Sequence, residues 1–125
     1  MNRKNINQIG EDVAVRYLTG RGYVVETKNY KRGRLNIDLV VTRGELTCFV
    51  EITSLVVRSG GVPDTVEGVD EQLHLRRLKR YSRIMSSYMK EFNVPKDKWN
   101  FIVLKVNLNM ERRVARVYSL EGVVL

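Results

Sequence analysis

Apolar residues that recur every three or four positions predict a helix near the start of the chain, and they are Ile6, Ile9, Val13, Tyr17 and Leu18. This period places them on one face of the helix. Asn5 or Asn7 is the expected N-cap. Glu11 and Asp12 are expected near the positive end of the helix dipole. Gly20 and Gly22 are expected to end the helix.

Alternating apolar and polar residues then predict three strands, of which the last two form a hairpin. Residues 23–30 are rich in Val, Thr and Tyr, which favours a strand. Residues 35–42 and 45–52 alternate regularly, so each strand has one predominantly apolar face. Arg43 and Gly44 are the expected two-residue turn, so Thr42 should lie opposite Glu45.

The second half of the chain predicts a loop, a long helix and a second strand pair. Residues 54–70 are rich in glycine and include a proline, which favours a loop. Apolar residues at helical spacing follow, and they are Leu75, Leu78, Tyr81, Met85, Tyr88 and Phe92. Residues 101–108 and 114–118 should then pair as strands. The order α-β-β-β-α-β-β predicts one mixed α/β domain over residues 1–125.

The composition is that of a basic domain without disulfides. Of the 125 residues 43% are hydrophobic, and 22 Lys and Arg against 14 Asp and Glu leave a net charge of +8. This balance is typical of nucleic-acid-binding proteins but is not specific to them. The single Cys48 and the single His74 exclude a disulfide framework, a thiolate zinc site and a histidine cluster. Signal-peptide and membrane-span patterns are absent from the sequence, so a cytoplasmic protein without a membrane partner is expected.

Two carboxylates of the predicted hairpin lie close enough to share a cation. With the turn placed as above, Asn36 lies opposite Glu51, and Asp38 lies one diagonal step from Glu51. Asp38, Glu51, Asn36 and Thr53 then point to the same face of the hairpin. Mg²⁺ typically takes one or two carboxylates together with water and phosphate oxygens.

An ordinary exposed hairpin face is the alternative to a metal site. In that case Asp38 and Glu51 are simply solvated, as on many antiparallel sheets with one face in water. Val40 and Phe49 share the predicted face, however, and their apolar side chains indicate that it is covered. Covered carboxylates need hydrogen-bonding or charged partners. Both interpretations stay open on spacing alone.

Several short motifs resemble the YraN-like family of small bacterial proteins. They are Ile9-Gly10-Glu11-Asp12-Val13-Ala14, Tyr17-Leu18, Gly22-Tyr23, Asn29-Tyr30, Ile37-Asp38-Leu39-Val40 and Phe49-Val50-Glu51-Ile52. The resemblance extends over residues 9–117 and is more specific in the first half. Members of this family have a restriction-endonuclease-like fold related to that of archaeal Holliday-junction resolvases. The resemblance therefore implies a central mixed β-sheet flanked by helices.

The resemblance also implies a metal-dependent phosphodiesterase site. In the superfamily an Asp and a later Glu-x-Lys motif hold Mg²⁺ or Mn²⁺, and the lysine assists the attacking water. By position, Asp38 and Glu51 correspond to the two acids, and Ile52 would supply its carbonyl oxygen. Glu11 corresponds to an acid on the first helix of the resolvase branch.

Two departures from the family motif weaken this site. The lysine position is occupied by Thr53, and an acidic position is occupied by Asn36. General acid–base assistance is typically worth about 10²–10⁴-fold in rate. Arg34 and Arg58 are candidates to replace the missing positive charge. The site is therefore expected to be degenerate, either slow or inactive.

Two clusters of basic residues suit contacts with a phosphate backbone. The second predicted helix carries Arg76, Arg77, Lys79, Arg80 and Arg83, and the hairpin is preceded by Lys31, Arg32 and Arg34. Residues 74–90 contain no acidic residue, whereas surface helices usually mix charges for i,i+4 pairing. The basic surfaces are expected beside Asp38 and Glu51. The expected partner is a nucleic acid, DNA ahead of RNA, bound through its backbone and shape.

Three functions fit these observations. The preferred one is a nucleic-acid-binding protein with a nuclease fold and a degenerate metal-dependent phosphodiesterase site. The first alternative is an active Mg²⁺- or Mn²⁺-dependent DNA endonuclease of the resolvase type. The second is a non-catalytic protein-interaction module in a nucleoprotein complex. A homodimer is a further expectation, because resolvase-like folds often dimerise to cut two strands.

Overall fold

A five-stranded mixed sheet with one helix on each face is the core of the computed structural model, which describes residues 2–58 and 71–120. At residues 71–75, 77, 78 and 120 only the backbone is described. The elements are α1 (Arg3–Thr19), β1 (Val24–Arg32), β2 (Leu35–Arg43), β3 (Leu46–Val57), α2 (Glu71–Glu91), β4 (Trp99–Asn109) and β5 (Val114–Leu120). The strands lie in sequence order, and β3 and β4 pair in parallel. The predicted order of helices and strands is confirmed.

The first helix begins earlier than its apolar pattern suggests. Asn2 caps α1, since its side-chain oxygen accepts a hydrogen bond from the N–H of Asn5 at 2.9 Å. The predicted caps, Asn5 and Asn7, are therefore wrong, and both residues lie within the helix. Glu11 and Asp12 lie in its middle rather than in its first turn. The first turn of α1 consists of polar residues. The helix start was read from the apolar residues, which begin at Ile6, so the cap was expected too late in the sequence.

The turn between β2 and β3 lies one residue beyond the predicted position. Arg43 pairs with Leu46, so Gly44 and Glu45 are the two central turn residues. Gly44 has a φ of 61°, and hairpin turns that match the strand twist need a positive φ at their first central position. The pairing is thereby shifted by two residues, which leaves side chains on their predicted faces wherever the strands are regular.

The third strand is longer than predicted. β3 reaches Val57, so residues 54–57 belong to a strand and not to the predicted loop. Residues 47–57 pair in parallel with Trp99–Asn109, so the extension gains backbone partners along its whole length. The partner strand is distant in sequence, and local patterns therefore do not reveal it. The rest of the predicted loop, residues 59–70, lies outside the described ranges.

Two apolar cores lie on opposite faces of the sheet. The core under α1 includes Ala14, Leu18, Leu39, Val50 and Leu104. The core under α2 includes Val40, Phe49, Ile84, Tyr88 and Phe101. Phe92 has the helical spacing of the apolar residues of α2 and was expected on the same buried face. It follows the last residue of α2 and is 53% exposed. The side chains of His74, Leu75 and Leu78 lie outside the described part of the chain. Within that part, neither helix is long and apolar enough to cross a membrane.

Candidate functional site

A polar pocket of about 460 Å³ lies between α1 and the first three strands. Its lining residues are Arg3, Asn7, Glu11, Asn29, Asn36, Asp38, Ile52, Thr53 and Ser54. Five of these residues were singled out from the sequence, namely Glu11, Asn36, Asp38, Ile52 and Thr53. The structure therefore brings most of the predicted site together.

One stripe of α1 forms a wall of the pocket. Arg3, Asn7 and Glu11 are spaced by four residues, so their side chains lie on one side of the helix. The guanidinium of Arg3 donates a hydrogen bond to the carbonyl oxygen of Ser54 at 3.1 Å. Gly10 lies directly against Ser54, whose hydroxyl a Cβ at position 10 would overlap. These contacts fix α1 on β3 beside the pocket.

At the pocket, β2 departs from the regular alternation of side chains between the two faces of the sheet. Leu39 belongs to the core under α1 and Ile37 to the core under α2, although alternate residues of a regular strand share a face. On the neighbouring strand, Asn29 has a φ of 53°, which is uncommon for residues with a Cβ but tolerated by Asn. Because the alternation is interrupted here, the Asp38 side chain lies on the α1 side of the sheet. The prediction that Asp38 shares a face with Val40 is therefore wrong.

Both carboxylate oxygens of Asp38 accept hydrogen bonds from the protein. Oδ2 accepts from the N–H of Ile52 at 2.7 Å, and Oδ1 accepts from the side-chain amide of Asn36 at 3.2 Å. Burial raises the pKa of Asp38, and the negative charge of Glu11 adds to this effect, while the Ile52 N–H partly opposes it. Asp38 is thus a half-buried carboxylate whose charged form is costly to bury and whose two oxygens each accept one hydrogen bond.

Glu11 supplies a second carboxylate to the pocket. It lies on α1, and its Oε1 atom is 3.9 Å from the Nζ atom of Lys28 on β1. Its side chain is 19% exposed and that of Lys28 is 52% exposed, so this ion pair lies at the mouth of the pocket. The Lys28 charge partly balances the two acids there.

Glu51 lies beside the pocket rather than in its lining. In the parallel register it lies opposite Val103, which belongs to the core under α2. Its Oε2 atom is buried. The neighbouring Ile52 and Thr53 line the pocket, whereas the Glu51 side chain does not. The structure therefore brings Glu11 and Asp38 together and leaves the Glu51 carboxylate outside the lining.

The ligand set implied by the resemblance is not assembled among the described residues. Within residues 2–58 and 71–120, no group of three acidic, histidine or cysteine side chains is placed to hold a metal ion. Mg²⁺ demands near-octahedral oxygen ligands, and the pocket lining includes the carboxylates of Glu11 and Asp38 but not that of Glu51. The Oδ1 atom of Asn36 is buried and has no hydrogen-bond partner in the described part. Metal binding by Asp38, Glu51 and the Ile52 carbonyl stays a prediction.

A cation other than the expected ones lines the pocket. Thr53, at the family's lysine position, contributes a hydroxyl in place of an amine. Arg34, in the turn after β1, and Arg58, after β3, are exposed and do not line the pocket. Arg3 does line it. Sequence reasoning missed Arg3, and its four-residue spacing from Asn7 and Glu11 was the available signal.

The predicted basic face of α2 is exposed to solvent. Its described side chains are those of Arg76, Lys79, Arg80 and Arg83. The Arg77 side chain lies outside the described part. α2 packs on the face of the sheet opposite α1, so this basic face and the Asp38 pocket lie on different sides of the sheet.

The basic cluster near the first turn is partly neutralised. Arg32 forms an ion pair with Glu91 at 3.2 Å, and its guanidinium lies 4.9 Å from the centre of the Tyr30 ring. Lys31 and Arg34 are exposed on either side of Arg32 and form no ion pair with a described residue. Two of the three predicted cations are thus available to an external anion.

Comparison with known proteins gives one consistent family. Residues 10–118 match the model of a family described as "Uncharacterised protein family UPF0102". A "UPF0102 protein" of Moorella thermoacetica is 32% identical over 98% of this chain and 97% of its own length. Those of Dictyoglomus turgidum and Alkaliphilus oremlandii are 29% and 30% identical, over 91% and 86% of this chain and 92% and 88% of their own lengths.

Proposed function

The chain belongs to the UPF0102 or YraN-like family, of the restriction-endonuclease-like superfamily, and from this premise we propose that it binds nucleic acids through a nuclease fold whose catalytic site is degenerate. The observation that carries the proposal is that the motif around Asp38 is incomplete. The Glu51 side chain does not line the pocket, and Asn36 and Thr53 occupy the positions of an acid and of the lysine.

The residues of the pocket suit anchoring better than hydrolysis. A bound Mg²⁺ or Mn²⁺ would acidify the attacking water, but the Glu51 carboxylate, which the motif would supply to the metal, does not line the pocket. A threonine hydroxyl cannot supply the positive charge that stabilises a developing anion. Each of these features slows phosphodiester cleavage.

The exposed cations of α2 support nucleic-acid binding. Arg76, Lys79, Arg80 and Arg83 extend over two turns of one helix, where they can follow neighbouring phosphates. Their position across the sheet from Asp38 favours binding without cutting, because a backbone held along α2 lies away from the acidic pocket. We infer that affinity comes mainly from charge and backbone shape.

An active endonuclease is the second candidate, and one observation favours it. The pocket retains two acids, Glu11 and Asp38, together with the guanidinium of Arg3. An arginine near the scissile phosphate can stabilise developing charge even where a lysine is missing. This candidate requires strand cutting that depends on Glu51 as well as on a divalent metal.

Binding to labelled nucleic acids tests the proposal. Fluorescence anisotropy with branched, single-stranded and duplex DNA, and with matching RNA, should give saturable binding that weakens as salt is raised. The same samples, run on a denaturing gel after incubation in Mn²⁺, should contain intact strands. Absence of binding to every substrate at low salt would overturn the proposal, and Glu51-dependent cutting would favour the second candidate.

A further inference from the structure

An apolar groove of about 380 Å³ lies between the C-terminal half of α2 and the segment that leads into β4. It is lined by Ser82, Met85, Ser86, Met89, Lys90, Val94, Lys96 and Trp99. The α2 members follow a spacing of three and four residues, so they form one continuous stripe of the helix. The groove shares no lining residue with the Asp38 pocket, and the family motifs do not include it.

Cations surround the groove. Lys90 and Lys96 are exposed at its rim, and Arg83 and Ser87 line a second hollow of about 350 Å³ that shares Ser82, Ser86 and Lys90 with the groove. Arg83, Lys90 and Lys96 form no ion pair with any residue that the structure describes. An apolar floor bordered by unneutralised cations suits a ligand that is both flat and anionic.

We propose that this groove holds an unpaired base of a nucleic acid, while the surrounding cations contact the phosphates on either side of that base. The inference rests on the proposed nucleic-acid binding and names its preferred substrate class, which is single-stranded or locally unpaired nucleic acid. The base would lie between Met89 and the indole of Trp99, and Arg83, Lys90 and Lys96 would hold its backbone.

Charge and continuity favour a nucleic acid over a protein segment as the occupant. The groove lies on the helix that carries the exposed Lys79, Arg80 and Arg83, so a backbone that follows these cations reaches its rim. A base has an apolar face that stacks on aromatic side chains in a sequence-tolerant way. An acidic apolar peptide has complementary charge too, but nothing else on this surface selects it.

The groove should distinguish unpaired from paired nucleic acid. In a duplex the bases are stacked inside the helix, and taking one out costs a few kcal/mol. A duplex can therefore contact the cations of α2 without filling the groove. A contact between one base and an aromatic side chain is typically worth about 5-fold to 150-fold in affinity.

The tryptophan of the groove provides a direct signal. Trp99 is the one tryptophan of the sequence, so the intrinsic fluorescence of the protein reports on the groove. A short single-stranded oligothymidylate should quench this fluorescence saturably. A duplex of equal length, bound to the same extent by anisotropy, should leave it nearly unchanged.

A matched pair of variants separates the groove from the rest of the surface. Ser86→Phe, at an exposed helix position that lines the groove, should fill it without changing the charge. We expect single-stranded binding to weaken at least 5-fold and duplex binding to change less than 2-fold, as stacking magnitudes suggest. Gln8→Phe adds the same side chain to an exposed position on α1 and should change neither affinity.

The outcomes distinguish this inference from the proposed function. Quenching by the single strand that Ser86→Phe removes supports the groove as a base site. Binding by anisotropy without quenching, or without an effect of Ser86→Phe, overturns the inference and leaves nucleic-acid binding intact. Quenching by an acidic apolar peptide but not by the oligonucleotide overturns it in favour of a protein partner. Binding of neither nucleic acid overturns the inference and the proposed function together.

Discussion

Asp38 combines burial, hydrogen bonding and a nearby acid in one side chain. Its pKa is raised mainly because burial removes water from the carboxylate, and Glu11 raises it further. The Ile52 N–H donates to it and recovers part of that cost. The result is a carboxylate whose position is fixed by two hydrogen bonds and whose charged form is costly to bury.

Replacing Asp38 with asparagine should remove a pH dependence of stability. Between its ordinary pKa and the raised one, the folded chain retains a proton that the unfolded chain has released, so the free energy of unfolding falls as pH rises. In Asp38→Asn the new oxygen can still accept from the N–H of Ile52. The new amide can donate to Asn36 once the Asn36 amide flips, which brings its unpartnered Oδ1 to the place of its NH2 group. As pH rises from about 4 toward neutral, the wild type should therefore lose stability relative to this variant.

Urea unfolding in a buffer free of divalent cations measures this difference. Asp12→Asn is the control, because Asp12 is an exposed carboxylate on the same helix as Glu11 and should give the wild-type pH profile. A wild-type stability that rises with pH relative to Asp38→Asn would show that Asp38 is stabilised as an anion, which contradicts the direction of its pKa.

Restoring the family motif should restore part of the activity. Asn36→Glu removes the amide that engages Asp38 and adds an acid, while Thr53→Lys adds the missing amine. The double variant should cut branched DNA in Mn²⁺ at least about 10²-fold faster than wild type, the lower end of general acid–base effects. Addition of Glu51→Ala should abolish the gain. A double variant as inactive as wild type would show that more than these two positions limits the site.

Local sequence patterns predict the helices and strands but not the points where a strand is extended or irregular. The hairpin of β2 and β3 was predicted because alternation is a local property. The extension of β3 was missed because its partner, β4, is distant in sequence. The interrupted alternation near Asp38 and the positive φ of Asn29 were missed. A prediction from alternation assumes that every second residue shares a face, so it does not detect such irregularities. This irregularity is what turns Asp38 toward α1.

The contact of α1 with β3 depends on a glycine. A Cβ at Gly10 would meet the hydroxyl of Ser54 and lie 2.9 Å from its Cβ atom. Gly10→Ala should therefore destabilise the protein by about 1–3 kcal/mol, although alanine is the better helix former by about 1 kcal/mol. Urea unfolding measures the change. Adding Ser54→Gly should recover most of the loss, and stabilisation by Gly10→Ala alone would contradict the tight packing.

The net charge of +8 includes cations that are paired within the protein and cations that are not. Some cations are engaged within the protein, as Arg32 is by Glu91 and Lys98 by Glu45 at 3.7 Å. The exposed cations of α2 are not balanced by acids on their own helix between residues 74 and 90. The basic face was predicted beside Asp38, and that placement is wrong for α2, which lies across the sheet from Asp38. The position depends on how both helices pack, which local patterns do not reveal.

Salt dependence of binding should identify the contacting cations. If α2 and its neighbours neutralise about five phosphates, log K should fall with log salt at a slope near −4.5. Arg80→Ala with Arg83→Ala should reduce the slope to about −2.7, since each lost phosphate contact removes about 0.9. Lys4→Ala with Arg112→Ala removes two exposed charges elsewhere and should leave the slope unchanged. Equal effects of the two pairs would contradict a localised surface.

Single-turnover cleavage measures whether the protein cuts a nucleic-acid backbone that it has bound. Purified protein in excess over end-labelled branched DNA, in Mn²⁺ and at a salt concentration where anisotropy shows full binding, is followed on a denaturing gel. We expect bound DNA to stay intact, with no more product than in the Glu51→Ala control. Product that accumulates with wild type, requires Mn²⁺ and disappears in Glu51→Ala would contradict a degenerate site.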